Sequence, residues 1–127
     1  MFKYSSAPLS PHLQRYKLPL NAWLSITHRL TGVVLFAGFV VLPVLLVILT
    51  QGEQAWLNLL PWISHWISKC LLFMFTFSLY FHMCHGIRHL FWDVGKGHEI
   101  DTVTMTAKLA IVFAFFLNLL TWLLVWL

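Results

Sequence analysis

Three histidines share one face of a predicted helix within the stretch HMCHGIRHLFWDVG, residues 82–95. His82, His85 and His89 follow an i, i+3, i+7 spacing, which places them on the same side of an α-helix. Gly86 comes one turn after His82 and leaves room for a flat, bulky group beside the imidazole. The pattern is typical of a histidine that ligates haem within a membrane helix.

A second polar cluster lies at the start of the first apolar run. Ser25, His28 and Arg29 are spaced i, i+3 and i+4, so they form one patch at the same predicted membrane boundary as Arg88. Ionisable groups at this depth are costly and usually mark a ligand or a pathway. The alternative is that the two arginines extend to lipid phosphates while the histidines hydrogen-bond each other. Two clusters at one boundary favour a site in which the cations face haem propionates.

The depth of His82 sets a requirement on any haem site. His82 precedes Arg88 by six residues, so it lies about 9 Å further into the membrane. A neutral histidine there leaves one ring nitrogen unsatisfied, whereas coordination to iron would occupy it. The third apolar run contains no histidine, His28 is expected at the membrane surface, and His65 is close to the opposite face. A second axial ligand is therefore expected from a partner subunit.

A metal-transport site built from His82, Cys84, His85 and His89 is the competing interpretation. On a regular helix Cys84 points away from the histidine face, and the predicted spans contain no Asp or Glu. Cys70 is separated from Cys84 by about 21 Å of helix, so the two cannot form a disulfide. The sequence lacks a CxxCH motif, which excludes a covalently attached c-type haem. We therefore favour a non-covalent haem site.

The composition excludes an ordinary soluble domain. Of the 127 residues, 60% are hydrophobic and only 9% are charged, whereas soluble domains carry roughly a quarter charged residues. Three apolar runs, at about 23–50, 63–92 and 108–127, are long enough to span a bilayer. The sequence therefore predicts an all-α integral membrane protein whose residues 23–127 form three transmembrane helices.

Polar segments precede and join these helices. Residues 1–22 form a basic segment at the membrane surface, with a short helical turn predicted to begin at Ser10 and to end before Pro19. This segment has neither the apolar core nor the cleavage site of a signal peptide. Loops are predicted at Gln51–Trp62 and Asp93–Thr106. Single polar residues on the apolar runs are predicted to make helix–helix hydrogen bonds, namely Thr76, Ser78 and Asn118.

The distribution of basic residues predicts the orientation in the membrane. Seven of the eight Lys and Arg residues flank the start of the first helix or the second loop, and Lys69 alone lies toward the other side. By the positive-inside rule the N-terminus is cytoplasmic and the C-terminus lies on the outer side. This topology accounts for the net charge of +4, so nucleic acid is not expected as a partner.

Two motifs in this sequence resemble those of the succinate dehydrogenase cytochrome b subunits. Residues 25–31, SITHRLT, resemble the motif S-x-x-H-R-x-[S/T]. Residues 82–95 resemble H-x(3)-G-[aliphatic]-R-H followed by aromatic-Asp-x-Gly, and Ser10–Leu13 also fits members of the mitochondrial and proteobacterial type. The likeness covers almost the whole chain. One departure is Ala7-Pro8, where many members have Arg-Pro, and His85 and Cys84 occupy variable motif positions.

The resemblance implies a four-subunit complex. A flavoprotein subunit oxidises succinate, an iron–sulfur subunit passes electrons to quinone, and this chain packs with a second small membrane anchor subunit that shares haem b with it. His82 would be the axial ligand of the haem iron, and the second anchor would supply the other axial ligand. Ser25 and Arg29 would bind quinone. Three further residues are expected near the haem propionates or the quinone entrance: His28, Arg88 and His89.

The resemblance leaves alternatives open. An anchor of a quinol:fumarate reductase, which runs the reverse reaction, has the same sequence features. A haem-free structural anchor or a small transporter is the alternative from another class. Asp93 is expected either to pair with one of the cations or to cap a loop, and the quinone is either ubiquinone or menaquinone. The implied location is the bacterial inner membrane, with several spans in contact with lipid.

Overall fold

The chain forms α-helices throughout the region described by the structure, a computed structural model that covers residues 17–127 apart from the side chain of Trp126. Within these residues there are four helices: α1 (Leu20–Leu49), α2 (Glu53–Ser64), α3 (Trp66–Asp93) and α4 (Ile100–Trp126). The turn predicted to begin at Ser10 lies outside the described residues, as does the resemblance at Ser10–Leu13.

Three of these helices, α1, α3 and α4, are long and apolar enough to cross a membrane. This confirms the prediction of three long apolar helices. Helices α1 and α3 contain 30 and 28 residues, and at 1.5 Å per residue each is longer than the roughly 30 Å hydrocarbon core of a bilayer. Arg29, Arg88 and Lys96 lie at one end of the bundle, here called the basic end; α2 lies at the opposite, far end.

The prediction of a loop at Gln51–Trp62 is wrong, because α2 occupies most of it. Gly52 has a φ of 95°, a left-handed conformation that turns the chain between α1 and α2. Glu53 then lies in the first turn of α2, where its charge favours the positive end of the helix dipole. Pro61 is accommodated inside the helix.

The second predicted loop, Asp93–Thr106, is also too long, because α4 begins at Ile100. Asp101 stabilises the first turn of α4 through the helix dipole. The remaining connection is held by its own contacts: the Trp92 indole N–H donates to the carbonyl of Gly97 at 3.2 Å, and His98 Nε2–H donates to the carbonyl of Trp92 at 3.2 Å. Gly95 and Gly97 have φ values of 75° and 78°, a conformation that favours glycine.

Helices α3 and α4 pack closely through small and polar side chains. The α4 residues at this contact that are buried and small are Ala107, Ala110 and Ala114, and such residues let two membrane helices approach. Thr76 donates to Asn118 Oδ1 at 2.7 Å and accepts from the indole N–H of Trp122 at 2.9 Å. The helix–helix hydrogen bond predicted for Thr76 and Asn118 is confirmed. The one predicted for Ser78 is wrong, since its hydroxyl donates to Met74 of the same helix.

Helix α1 contacts α3 at two glycines that admit side chains of α3. A Cβ atom on Gly38 would overlap the ring of Phe75, and one on Gly32 would lie 3.1 Å from Cε1 of His82. The absence of a side chain at both positions therefore lets α1 approach α3. The second of these contacts brings α1 against the predicted haem ligand.

Candidate functional site

Four imidazole rings meet between α1 and α3 near the basic end. The ring centroid of His28, on α1, lies 4.1 Å from that of His82, 6.1 Å from that of His85 and 5.2 Å from that of His89. The expectation that His28 lies at the surface, above the depth of His82, is wrong. Because α1 begins at Leu20, His28 is already more than two turns inside the helix.

His28 and His82 are joined by reciprocal hydrogen bonds between their side chains and backbones. His82 Nδ1–H donates to the carbonyl of His28 at 3.1 Å, and His28 Nε2–H donates to the carbonyl of His82 at 3.3 Å. The buried hydroxyl of Thr31 donates to the His28 carbonyl at 2.8 Å and lies 3.2 Å from His82 Nδ1. Gly32 allows this approach. Helix α1 therefore fixes both the position and the tautomer of the His82 ring.

The tautomer of His82 fits the role of an iron ligand. With the proton on Nδ1, the Nε2 atom carries the lone pair that binds a metal. Among residues 17–127, no hydrogen-bond partner of His82 Nε2 is found. One turn further on, a Cβ atom at Gly86 would meet no atom of residues 17–127 within 4 Å, so these residues leave the helix surface beside the ring open. These features match a histidine whose second nitrogen faces a flat cofactor.

The pair His28 and His82 cannot ligate one iron from opposite sides. Their rings are stacked, with an interplanar angle of 21°. The lone pair of an imidazole nitrogen lies in the plane of its ring, so two stacked rings do not direct their lone pairs at a common point between them. The geometry is thus compatible with the prediction that a partner subunit supplies the second axial ligand.

His85 lies in the most buried position of the cluster, with 1% of its surface exposed. Its Nδ1–H donates to the carbonyl of Phe81 at 3.0 Å, and its ring stacks on that of Phe81 with centroids 4.1 Å apart. Cys84 packs against the apolar core formed by Leu24, Phe81, Ala107 and Ala114. The competing metal-transport interpretation requires Cys84 to join the histidines, and this packing directs the thiol elsewhere.

Ser25 and Arg29 are brought together at the edge of the cluster. Arg29 Nη2–H donates to Ser25 Oγ at 3.3 Å. The hydroxyl is half-buried and Arg29 is exposed, so a polar group entering from the membrane boundary can reach both. The i, i+4 spacing on α1 accounts for the contact.

Arg88 is directed toward α4. It is 8% exposed, and its Nε–H and Nη2–H donate to Thr106 Oγ1 at 3.3 Å and to the carbonyl of Val103 at 3.2 Å. Its guanidinium carbon lies 4.7 Å from the centroid of the Trp92 ring, within the range of a cation–π interaction. The structure therefore gives Arg88 a role in joining α3 to α4, in addition to any role toward a cofactor.

His89 and Asp93 lie nearer the end of α3. The ring of His89 stacks on His28 and packs edge-on against Trp92, with centroids 4.9 Å apart. Asp93 is the last residue of α3 and is exposed. Sequence reasoning named both, but it missed Thr31 and Gly32 as the groups that hold His82. Their signal is present in the sequence, since they follow His28 by three and four residues and so lie on its face of α1.

A family comparison decides which proteins this chain is related to. The model of the succinate dehydrogenase/fumarate reductase transmembrane subunit matches residues 4–121. The chain belongs to this family. The match includes α1, α2, α3 and most of α4, and the resemblance seen in the two motifs is thereby confirmed.

Individual relatives agree with the family match. The chain is 42% identical over 120 residues to the succinate dehydrogenase cytochrome b556 subunit of Rickettsia prowazekii, covering 94% of this chain and 93% of that protein. It is 40% identical to the subunit of the same name from Rickettsia felis, with the same coverage. The b556 subunit of Paracoccus denitrificans is 37% identical over 114 residues, covering 90% of this chain and 88% of the relative.

Proposed function

We propose that this chain is the haem b-binding membrane anchor of a succinate:quinone oxidoreductase. Its membership of the succinate dehydrogenase/fumarate reductase transmembrane family supports the role of an anchor subunit. The observation that carries the haem assignment is the His82 ring, held through Nδ1 by α1 while Nε2 remains available. In this proposal the chain packs with a second small anchor, and together they hold the iron–sulfur and flavoprotein subunits at the membrane.

In the proposed haem site, His82 Nε2 would hold the iron, and the second anchor would supply the other ligand. Bound haem would supply a one-electron redox centre beside the quinone site. His28 fixes the His82 ring, and the open helix surface at Gly86 gives a planar group access to it. His28, Arg88 and His89 would lie near the propionates, where positive or hydrogen-bonding groups compensate the negative charge.

In the proposed quinone site, Ser25 and Arg29 both interact with one carbonyl oxygen of the quinone. The Ser25 hydroxyl donates to a quinone carbonyl, and the Arg29 guanidinium stabilises the negative charge that develops on that oxygen during reduction. Their hydrogen bond of 3.3 Å holds the hydroxyl and the guanidinium next to each other in the absence of substrate. Succinate oxidation itself takes place on the flavoprotein subunit, and this chain contributes to the reduction of quinone.

The alternative is that the chain is an anchor of a quinol:fumarate reductase, which catalyses the reverse reaction. The matched family includes both enzymes by its description. The relatives in Rickettsia and Paracoccus are named as succinate dehydrogenase subunits, which favours succinate oxidation as the physiological direction.

The proposed orientation follows from the concentration of basic residues at the basic end of the bundle. Arg29, Arg88 and Lys96 would face the cytoplasm, where the aqueous subunits bind, and the far end with α2 would face the outer side. Because the relatives in Rickettsia prowazekii and Paracoccus denitrificans are bacterial proteins, the proposed membrane is the inner membrane of a bacterium.

The function is tested by co-expressing the chain with its two aqueous subunits and the second anchor, and by comparing this complex with one that lacks the chain. We expect membrane-bound succinate:quinone reductase activity and a reduced-minus-oxidised haem b spectrum only when the chain is present. Membrane-bound activity with no haem signal would support the haem-free structural anchor instead. Faster fumarate reduction by quinol than succinate oxidation would support the fumarate reductase.

Gly32→Ala is expected to disturb the haem signal by displacing His82. The new Cβ would lie 3.1 Å from Cε1 of the ring, and overpacking of this kind typically costs about 1–3 kcal/mol. The measurement is the haem-to-flavin ratio and the midpoint potential of the purified complex. Gly38→Ala tests the effect of helix packing alone, because its Cβ would overlap the ring of Phe75, which precedes His82 by seven residues on α3. Equal haem properties in the two variants would show that Gly32 acts only on helix packing.

A further inference from the structure

Helix α2 has one apolar and one polar side. Five apolar residues lie within one arc of the helix: Ala55, Trp56, Leu59, Leu60 and Ile63. Gln54, Leu57 and Asn58 lie on the opposite side, where Gln54 donates to the Asn58 side chain at 3.3 Å, and Glu53 and Trp62 lie at the borders between the two sides. Gln54 and Ile63 are nine residues apart, or two and a half turns, so they point in opposite directions. An amphipathic pattern of this type suits a boundary between water and an apolar phase.

The apolar side of α2 is only partly covered by the chain itself. Ala55 and Leu59 are half-buried against the rest of the bundle, whereas Trp56, Leu60 and Ile63 are 39%, 39% and 37% exposed. The exposed apolar edge continues into the neighbouring surfaces of α1 and α3, where Leu49 and Trp66 are also exposed. Both of these helices are long and apolar enough to cross a membrane. The edge of α2 is therefore continuous with a lipid-facing surface.

Three tryptophans at this end, Trp56, Trp62 and Trp66, have an indole N–H for which residues 17–127 supply no acceptor. By contrast, the indole N–H groups of Trp92 and Trp122 donate to protein oxygens. Tryptophan is enriched at membrane interfaces because its ring enters the apolar region while its N–H meets the polar headgroups.

We propose that α2 is an interfacial helix that lies in the headgroup region of the bilayer at the far end, with Trp56, Leu60 and Ile63 inserted among the lipid chains. Glu53 is the only charged residue of α2, so attraction to anionic headgroups does not contribute and insertion depends on apolar contact. The partner is thus the lipid surface itself, and uncharged phosphatidylcholine suffices. Helix α2 would hold the ends of α1 and α3 at a fixed depth, independently of haem or quinone.

Photo-cross-linking in the assembled complex tests this proposal. Trp56, Ile63 and Gln54 are replaced one at a time by p-benzoylphenylalanine, and each complex is reconstituted in phosphatidylcholine vesicles and irradiated. We expect the chain mass to increase by one phospholipid at Trp56 and Ile63, several-fold more than at Gln54. The two apolar positions serve as independent variants in case one fails to assemble.

Other outcomes would overturn the proposal. A cross-link from Trp56 or Ile63 to another subunit, or to a second copy of this chain, would show that α2 is covered by protein. Equal lipid adducts at Gln54 and Ile63 would show that α2 is immersed in the bilayer, and no adduct at any position would place it in water. The haem and quinone assignments do not enter these readouts.

Discussion

His82→Ala is expected to abolish the low-spin haem b signal of the complex. The substitution removes the only histidine of the cluster whose Nδ1 is fixed by another helix while Nε2 is left open beside Gly86. Without this ligand the haem is lost or becomes high-spin. The measurement is the reduced-minus-oxidised spectrum, normalised to covalently or tightly bound flavin so that unassembled material does not contribute.

Two further variants separate ligation from folding in this experiment. His65→Asn is the matched control, because His65 is exposed at the far end of the bundle, away from the cluster, and Asn can still accept from the backbone N–H of Ile67 as His65 does. In His82→Gly, added imidazole is expected to restore a low-spin signal by filling the space of the missing side chain. A low-spin spectrum that survives His82→Ala unchanged would assign the iron to another residue, and the proposed haem site would have to be abandoned.

Arg29→Ala is expected to lower quinone reduction while haem content and succinate oxidation by an artificial acceptor persist. Loss of one preorganised group that stabilises developing negative charge typically lowers kcat by about 10²–10³-fold. Ser25→Ala is expected to weaken the same step less, because it removes a neutral donor. The measurement compares succinate:quinone and succinate:artificial-acceptor rates on the same preparation.

Lys96→Ala is the matched control for charge at the basic end, since Lys96 is exposed in the α3–α4 connection. Arg29→Lys keeps the charge and loses the planar donor geometry, so an intermediate rate is expected. The quinone assignment of Arg29 fails if the Ala variant loses haem while its quinone kinetics stay unchanged, because Arg29 would then support the haem site instead.

The sequence predicted the three long apolar helices because their length and composition are sufficient evidence. It placed the limits of α1 and α3 within three residues, but it did not predict α2 or the start of α4. In α1, α3 and α4 most sides are apolar, so hydrophobic periodicity is weak and does not define where a helix starts. The residues that decide the limits are local, such as Gly52 with its positive φ before α2 and Asp101 in the first turn of α4.

The site was partly predictable for a related reason. Spacing along one helix identified His82, His85 and His89, and separately Ser25, His28 and Arg29. The offset between α1 and α3 is set by packing at Gly32 and Gly38, and no spacing within one helix encodes it. For this reason the predicted depth of His28 was wrong, and the contact of Thr31 with His82 was not predicted.

The connection between α3 and α4 has a consequence for assembly. Its backbone is held by the bonds of Trp92 with Gly97 and of His98 with Trp92, and Gly95 and Gly97 already adopt their turn conformations. A subunit that docks on this end meets a surface that is ordered beforehand, so association loses little conformational entropy there. More of the interaction free energy then remains as affinity, and in the proposed complex the connection would be a rigid docking surface for the aqueous subunits.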